Sequence, residues 1–178
     1  MGPQSPDVDC SVSDVDCSAE APVTMSPLPS LLLTVLMSAG AVRAGCPTNV
    51  DWVEFEDFCY WRSTYPSTWA GAVAACQTLG ESSQLASIHS LVENSFIMQT
   101  YNYAETWIGL NDIDTEGQFV WSDGTDVDFT NWRPGQPDNH DNEDCVEVPD
   151  MRDPTAERWN DGNCDLDFHF ICKMPASS

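Results

Sequence analysis

Three features of the sequence predict an α+β domain. Two stretches have helically spaced apolar residues, several short segments resemble strands, and a long polar loop lies between strand-like segments in the second half of the chain. The sequence therefore predicts two helices, small antiparallel sheets and one long loop, all within residues 45–178.

The predicted domain opens with alternating aromatic and polar residues from Cys46 to Arg62, a pattern typical of a β-hairpin. A helix is expected next, with Ser67 or Thr68 as its cap and Gly80 at its end. The apolar residues that share one face of this helix are Trp69, Val73, Cys76 and Leu79.

A second helix is expected to begin at Ser90, because residues 90–93 (Ser-Leu-Val-Glu) match a capping box. Its apolar positions are Val92, Phe96 and Ile97, and the pattern continues to Tyr101. These apolar residues are therefore expected to share one face of the helix.

Strand-like segments follow the helices and frame a long loop. They are Trp107–Leu110, Gln118–Trp121, Val146–Val148 and Phe168–Lys173, and residues 122–124 (Ser-Asp-Gly) read as a turn. Residues 123–144 show almost no apolar periodicity. A loop of this length inside a compact domain is usually functional or disordered, and the strands around it favour function.

The first 44 residues differ from the rest. Residues 1–24 are rich in Ser, Asp and Pro, so we expect a disordered leader, or an extended gene model that precedes a true start at Met25. Residues 25–44 hold an apolar run too short to span a bilayer, followed by small residues, which predicts a secretory signal cleaved before Gly45. A signal anchor is the alternative, and we expect a secreted, extracellular protein.

The charge balance excludes some partners. The chain has 29 Asp and Glu residues against 6 Lys and Arg, a formal net charge of -23. Nucleic acids and anionic membranes attract basic residues, so we expect no nucleic-acid partner and no membrane partner. Acidic residues concentrate between Glu105 and Asp167, and such a cluster repels itself unless it binds a cation.

Eight cysteines form an even set, which in a short chain indicates disulfides and an oxidising compartment. Spacing alone leaves the pairing open among the six that follow Gly45. They are Cys46, Cys59, Cys76, Cys145, Cys164 and Cys172.

Three stretches of the second half carry oxygen ligands: 136–138 (Gln-Pro-Asp), 143–144 (Glu-Asp) and 159–161 (Trp-Asn-Asp). Calcium accepts roughly six to eight oxygen ligands from carboxylates, amides and water. These side chains with one backbone carbonyl, that of Asp161, would leave about two positions for vicinal hydroxyls of a sugar. Magnesium retains its water and zinc prefers His or free Cys, so both fit less well.

Taken in order, these stretches resemble a C-type lectin carbohydrate-recognition domain across residues 46–173. The further matching segments are Cys46-Pro47, Cys59-Tyr60-Trp61, Trp107-Ile108-Gly109-Leu110, Cys145-Val146 and Phe170-Ile171-Cys172. The resemblance implies a C-type lectin-like domain with a long calcium-binding loop. It also implies a cis peptide between Gln136 and Pro137, and the disulfides Cys46–Cys59, Cys76–Cys172 and Cys145–Cys164.

The resemblance also implies two calcium sites. The principal calcium and sugar site carries over to Gln136, Asp138, Glu143, Asn160 and Asp161. An auxiliary calcium site, found in some members, maps to Asp112, Glu116 and Asp144, with Glu143 shared. One further position of that site is often Asp in the family and is Asn139 here, which predicts weaker binding.

Within this family, Gln-Pro-Asp is associated with galactose and N-acetylgalactosamine, and Glu-Pro-Asn with mannose. We therefore expect glycans with terminal galactose or N-acetylgalactosamine as partners, with His140 beside the sugar. Trp132 is expected to pack beneath the loop. One site binds weakly, so a homo-oligomer would raise avidity, although no collagen repeat or heptad neck is visible.

Two other functions remain for comparison. The same fold can bind a protein or ice surface, with calcium only ordering the loop. A glycosidase would need a carboxyl pair such as Glu143 and Asp161, but both are required as ionised ligands and no nucleophile elbow is present. We expect no enzymatic activity.

Overall fold

The fold is organised around its last strand, which pairs with three other strands. The computed structural model describes residues 45–101, 104–150 and 158–177. The predicted leader (1–24) and signal peptide (25–44) lie outside the described residues. The strands are β1 (Val53–Phe55), β2 (Phe58–Arg62), β3 (Gln84–Leu85), β4 (Thr106–Asn111), β5 (Val120–Trp121), β6 (Cys145–Val148), β7 (Asn160–Gly162) and β8 (His169–Pro175).

The strands follow the order β1-β2-β8-β4-β6-β7, with β3 also on β8 and β5 also on β4. All pairings are antiparallel except β4 with β8, where Thr106 lies beside His169 and Trp107 beside Phe170. The α+β class is therefore confirmed, and one parallel pairing joins the small antiparallel groups into a mixed sheet.

Helix α1 (Trp69–Gln77) begins as predicted and ends differently. The Thr68 hydroxyl accepts a hydrogen bond from the backbone N–H of Gly71 at 3.2 Å. At the other end, the hydroxyl and N–H of Thr78 bond to the carbonyl of Ala75, so no left-handed glycine is needed. The prediction that Gly80 ends the helix is wrong for this reason.

Helix α2 (Leu91–Tyr101) forms only half of the predicted capping box. The backbone N–H of Glu93 donates to the hydroxyl of Ser90 at 3.0 Å, but the Glu93 side chain is only 8% exposed and turns into the core. Val92 is 63% exposed and Ile97 is 0% exposed, so the prediction that these two residues share one apolar face is wrong.

The core contains three tryptophans: Trp107, Trp121 and Trp159 are 0%, 2% and 0% exposed. A buried ion pair lies nearby, in which the Lys173 ammonium is 2.6 Å from Oε1 of Glu93. None of the described helices has the length and apolar character to cross a membrane.

Three disulfides tie the elements together: Cys46–Cys59, Cys76–Cys172 and Cys145–Cys164. They are the pairs that the family resemblance implies. The second joins α1 to β8, and the third joins the start of β6 to the segment after β7, close to the predicted ligands.

Candidate calcium and carbohydrate site

Strand β7 positions two of the predicted ligands. It pairs antiparallel with β6, placing Asn160 beside Glu147 and Asp161 beside Val146. The sequence Asn-Asp-Gly has weak strand propensity, and β7 was not predicted. It forms because β6 provides a paired edge and because the Cys145–Cys164 disulfide closes the segment.

Trp159, directly before these ligands, is held from several sides. Its ring makes edge contacts with Trp121, Phe129 and Trp132, with centroid distances of 5.6 to 6.0 Å. Its indole N–H donates to Oδ1 of Asn94 at 2.8 Å. Trp132 therefore packs against the base of the site, as the sequence predicted. Because Trp159 directly precedes β7, these contacts also fix the position of that strand.

Three predicted carboxylates converge. Oxygen atoms of Asp138, Glu143 and Asp161 all lie within 4.8 Å of one another, the one such carboxylate group found among the described residues. Asp138 is exposed, Glu143 half-buried and Asp161 buried. The long loop thus brings two carboxylates onto the one that β7 fixes.

Backbone N–H groups partly compensate this negative charge. Asp161 accepts from the N–H of Asp138 at 3.0 Å and of Asn139 at 2.8 Å. The N–H of His140 donates to both Asp138 and Glu143 at 3.2 Å. The pKa of Glu143 is nevertheless raised, by burial first and then by Asp161 and Asp138.

The two predicted amide ligands are part of the same loop and strand. The Gln136–Pro137 peptide is cis, and Oε1 of Gln136 is buried without a hydrogen-bond partner. The side-chain amide of Asn160 donates to the main-chain carbonyl of Asp161, the predicted sixth ligand. A buried oxygen with no donor, in the loop that contributes two of the three converging carboxylates, fits the oxygen-rich shell of calcium.

Asn139 links the parts of the loop, a role that the sequence analysis missed. Its Oδ1 accepts from the N–H of Glu143 at 2.8 Å, and its Nδ2 donates to Glu116 at 2.6 Å. It has a positive φ of 47°, as do Asp141 (58°) and Asn142 (69°). Asn and Asp tolerate this conformation best among non-glycine residues, so residues 139–142 (Asn-His-Asp-Asn) carried that signal.

The predicted auxiliary ligands lie at the edge of this cluster. Asp112 is 2% exposed; its Oδ2 accepts from the N–H of Gly117 at 2.7 Å, and its Oδ1 is buried without a partner. Its pKa is raised by burial and by the charges of Asp144 and Asp161. The auxiliary residues do not form a second converging carboxylate group within the described ranges. The auxiliary site remains a prediction.

Two histidines occupy different places. His140 has a side chain 79% exposed, with Nε2 3.4 Å from Asp141, so it lies at the rim of the loop. His89 instead contacts the start of the loop, through Asp128 at 2.8 Å and Thr125 at 3.2 Å. These contacts join residues 36 and 39 positions apart, a separation at which the sequence carries no local pattern.

Comparison with known proteins identifies the family. The model described as "Lectin C-type domain" matches residues 65–174. The chain belongs to the C-type lectin domain family. This family consists of non-enzymatic carbohydrate-binding proteins, which confirms the prediction that the chain is not an enzyme.

Individual members resemble the chain closely. Lectin BRA-3 of Megabalanus rosa is 44% identical over 81% of the chain and 88% of its own length. The alpha-N-acetylgalactosamine-specific lectin of Patiria pectinifera is 37% identical over 71% and 80%. Among solved structures, the carbohydrate-recognition domain of cow CD23 superposes with a TM-score of 0.68, at 33% identity, over 76% of this chain and 99% of that one.

The chain spans less than half the length of several curated receptors that it also matches. It covers 44% of human asialoglycoprotein receptor 2, at 41% identity. The similarity to these receptors is therefore limited to one part of each receptor.

Proposed function

We propose that this chain is a calcium-dependent lectin that binds terminal galactose or N-acetylgalactosamine. The convergence of Asp138, Glu143 and Asp161 within 4.8 Å is the observation that carries this proposal. The unpartnered buried Oε1 of Gln136 supports it, because that atom needs a donor or a cation.

The side chains divide the work between metal and sugar. Gln136, Asp138, Glu143, Asn160 and Asp161 would hold the calcium, with Asn160 and Asp161 on β7 and the other three on the loop. Bound calcium supplies coordination positions for two neighbouring sugar hydroxyls. The carboxylates accept hydrogen bonds from those hydroxyls, and the amides donate to them. The same residues therefore bind both the calcium and the sugar.

The proposed preference for galactose-type sugars depends on the order of the amide and the carboxylate in the Gln-Pro-Asp stretch. Gln136 precedes Asp138, and exchanging the two groups reverses donors and acceptors around the hydroxyl pair. The similarity to a lectin named as specific for alpha-N-acetylgalactosamine supports the same preference. We expect His140, whose side chain is exposed at the rim, to contact the sugar from outside the ligand ring.

Three further proposals concern the setting of the site. We expect the auxiliary calcium to bind at Asp112, Glu116 and Asp144 with Glu143 shared, more weakly than the principal one. We expect secretion, supported by three disulfides that need an oxidising compartment. We also retain the predicted boundaries, with the lectin domain at 45–178.

Retention on immobilised galactose tests the proposal. The chain should bind in calcium and elute with EDTA, and Asp161→Asn should abolish retention because it removes a buried ligand. Asp165→Asn is the matched control, since it makes the same charge change at an exposed residue outside the cluster. Equal retention of both variants, or retention that survives EDTA, would refute calcium-dependent binding at this site.

The double exchange Gln136→Glu with Asp138→Asn tests the preference separately. It should replace galactose binding by mannose binding while calcium still binds. If wild-type protein binds calcium but neither sugar, the protein-surface or ice-binding alternative replaces the lectin proposal.

A further inference from the structure

Arg62 carries a positive charge that no described residue pairs. It is the last residue of β2 and lies opposite Ile171 of β8. Its Nε is buried without a hydrogen-bond partner, and none of the ion pairs among the described residues includes its guanidinium. A partly buried cation without a partner destabilises a fold, and this chain has 29 acidic residues. The missing partner of Arg62 therefore needs a specific cause.

The negative charge of the chain also does not act on Arg62. Burial lowers the pKa of its guanidinium, and no carboxylate contributes to raising it. The net charge of -23 is thus balanced elsewhere, and the field at Arg62 is set by the guanidinium itself. An anion from outside the chain can supply the missing charge.

Arg62 lines an open cavity, which we term the Arg62 cavity. It has a volume of about 310 Å³ and lies where the end of β2, the C-terminal end of α2 and the start of β8 meet. Ligand pockets typically measure roughly 300 to 1,000 Å³, so this one has room for one small molecule. Six of its lining residues carry groups that bind polar ligands: Asp51, Trp61, Arg62, Thr64, Thr100 and His169.

The other polar groups of the Arg62 cavity suit hydroxyls. Nδ1 of His169 lies 3.0 Å from the carbonyl oxygen of Ser63, so Nδ1 carries the proton and Nε2 of the neutral ring is left to accept one. Asp51 is exposed and adds a carboxylate acceptor, and the hydroxyls of Thr64 and Thr100 both donate and accept. One cation beside several acceptors fits a ligand that has one negative group and several hydroxyls.

Trp61 adds an aromatic surface to the Arg62 cavity. Its side chain is half-buried, and its ring is held by an edge contact with Phe170 at a centroid distance of 6.1 Å. An indole ring packs against the C–H face of a sugar ring but gains little from a bare phosphate or sulfate. Asp51 would in addition repel such an anion, whereas it accepts hydrogen bonds from a sugar.

We propose that the Arg62 cavity binds a sugar that carries a carboxylate, such as a uronic acid or a sialic acid. The planar guanidinium of Arg62 pairs with the carboxylate, and hydroxyls of the sugar donate to His169 and Asp51. None of the residues that line the cavity is a predicted calcium ligand. Binding in this cavity therefore needs no calcium and does not rest on the proposed lectin function.

Saturation-transfer NMR on the purified full chain in EDTA tests the cavity while the calcium site is inactive. Glucuronate and N-acetylneuraminate are the probes, glucose is the neutral control, and acetate is the carboxylate without hydroxyls. We expect an acidic sugar to bind with a Kd on the order of 1 mM, and glucose and acetate at least about tenfold more weakly. No signal from either acidic sugar, or glucose or acetate binding equally well, would overturn the proposal.

Arg62→Gln separates a binding role from a structural one. It should weaken binding of the acidic sugar at least about tenfold, yet leave Tm unchanged or higher, because it removes an unpaired charge. Arg158→Gln is the matched control, since it makes the same change at an exposed arginine that does not line the cavity. Equal binding by the two variants, or a lower Tm of Arg62→Gln with binding retained, would assign Arg62 a structural role and overturn the site.

Calcium titration keeps this proposal distinct from the lectin proposal. Arg62→Gln should bind calcium and galactose as the wild type does, and an equal loss of calcium binding and acidic-sugar binding in that variant would overturn a separate cavity. Failure of calcium binding in the wild type would instead refute the lectin proposal, and the acidic sugar should still bind in EDTA.

Discussion

The indole Nε1 of Trp159 donates a 2.8 Å hydrogen bond to Oδ1 of Asn94, and both residues are fully buried. Asn94 belongs to α2, whereas Trp159 directly precedes the predicted ligands Asn160 and Asp161. One buried hydrogen bond therefore connects the rotation of a helix to the strand that supports the site.

Loss of this bond should destabilise the domain. Trp159→Phe removes the indole donor to Asn94 and removes core volume, so we expect the free energy of unfolding to fall by about 2 to 4 kcal/mol. Calcium affinity should fall as well, because Asn160 and Asp161 lose their support. Urea denaturation and calcium titration measure the two effects.

Trp52→Phe provides a matched control, because Trp52 makes the same indole-to-Asn bond, with Asn49 at 3.0 Å, in an exposed setting. The free energy of unfolding of that variant should fall by less than about 1 kcal/mol, since water can replace an exposed hydrogen-bond partner. Equal losses in the two variants would show that the buried bond has no special role.

The ion pair between Lys173 and Glu93 should show strong coupling. Lys173→Met leaves the buried Glu93 carboxylate without its cation, and we expect the free energy of unfolding to fall by about 3 to 5 kcal/mol. Adding Glu93→Leu to that variant should recover part of the loss, because no charge then remains buried. A double-mutant cycle in urea measures the coupling, and additive losses would contradict it.

Much of the fold could be predicted because its signals are local. The cap at Thr68, the start of α2 near Ser90 and the aromatic strands β4 and β5 follow from short patterns of residues. The rotation of α2 could not be predicted, because it depends on hydrogen bonds to Glu93 from Tyr60 and Lys173, which are distant from it in sequence. An amphipathic pattern places the most apolar residues inside, and here buried polar contacts overrule it.

The site was predictable to a similar degree. Ligand residues could be proposed from their oxygen atoms and from the family resemblance, and the structure brings Asp138, Glu143 and Asp161 together. The role of Asn139 could not be predicted, since it depends on a left-handed backbone and on contact with Glu116 from another loop.

Variants at Asn139 should separate the contribution of its left-handed backbone to calcium binding from the contribution of its side-chain hydrogen bonds. Asn139→Gly keeps the positive φ of 47° but removes the bonds to Glu116 and Glu143, whereas Asn139→Ala loses the bonds and also strains the backbone. We expect weaker calcium binding in both, with Ala worse than Gly by about 1 kcal/mol. Isothermal titration with calcium measures both affinities. Equal calcium affinities of the Gly and Ala variants would show that the backbone conformation makes no contribution.

Acidification should relieve the charge penalty that Asp112 and Glu143 impose on the calcium-free form and should weaken the stabilisation by calcium. The pKa values of Asp112 and Glu143 are raised, chiefly by burial, so the folded state holds protons at these groups more tightly than the unfolded chain. Without calcium, they destabilise the fold at neutral pH, and this penalty diminishes as the pH falls towards about 4. With calcium, protons compete with the metal and the stabilisation by calcium is lost.

Thermal unfolding in EDTA and in calcium, between pH 7.5 and about 4.5, measures this pH dependence. The stabilisation by calcium should shrink steadily as the pH falls. Glu143→Gln should flatten the response in EDTA, since it removes one of the titrating groups. A calcium-induced shift in Tm that is constant across this range would contradict the account.

Titration calorimetry with galactose and mannose, first in calcium and then in EDTA, tests whether the chain is a calcium-dependent galactose lectin. We expect heat for galactose in calcium, none for mannose, and none for either sugar once calcium is removed. Galactose binding that persists in EDTA, or the absence of binding to either sugar while calcium itself binds, would contradict it.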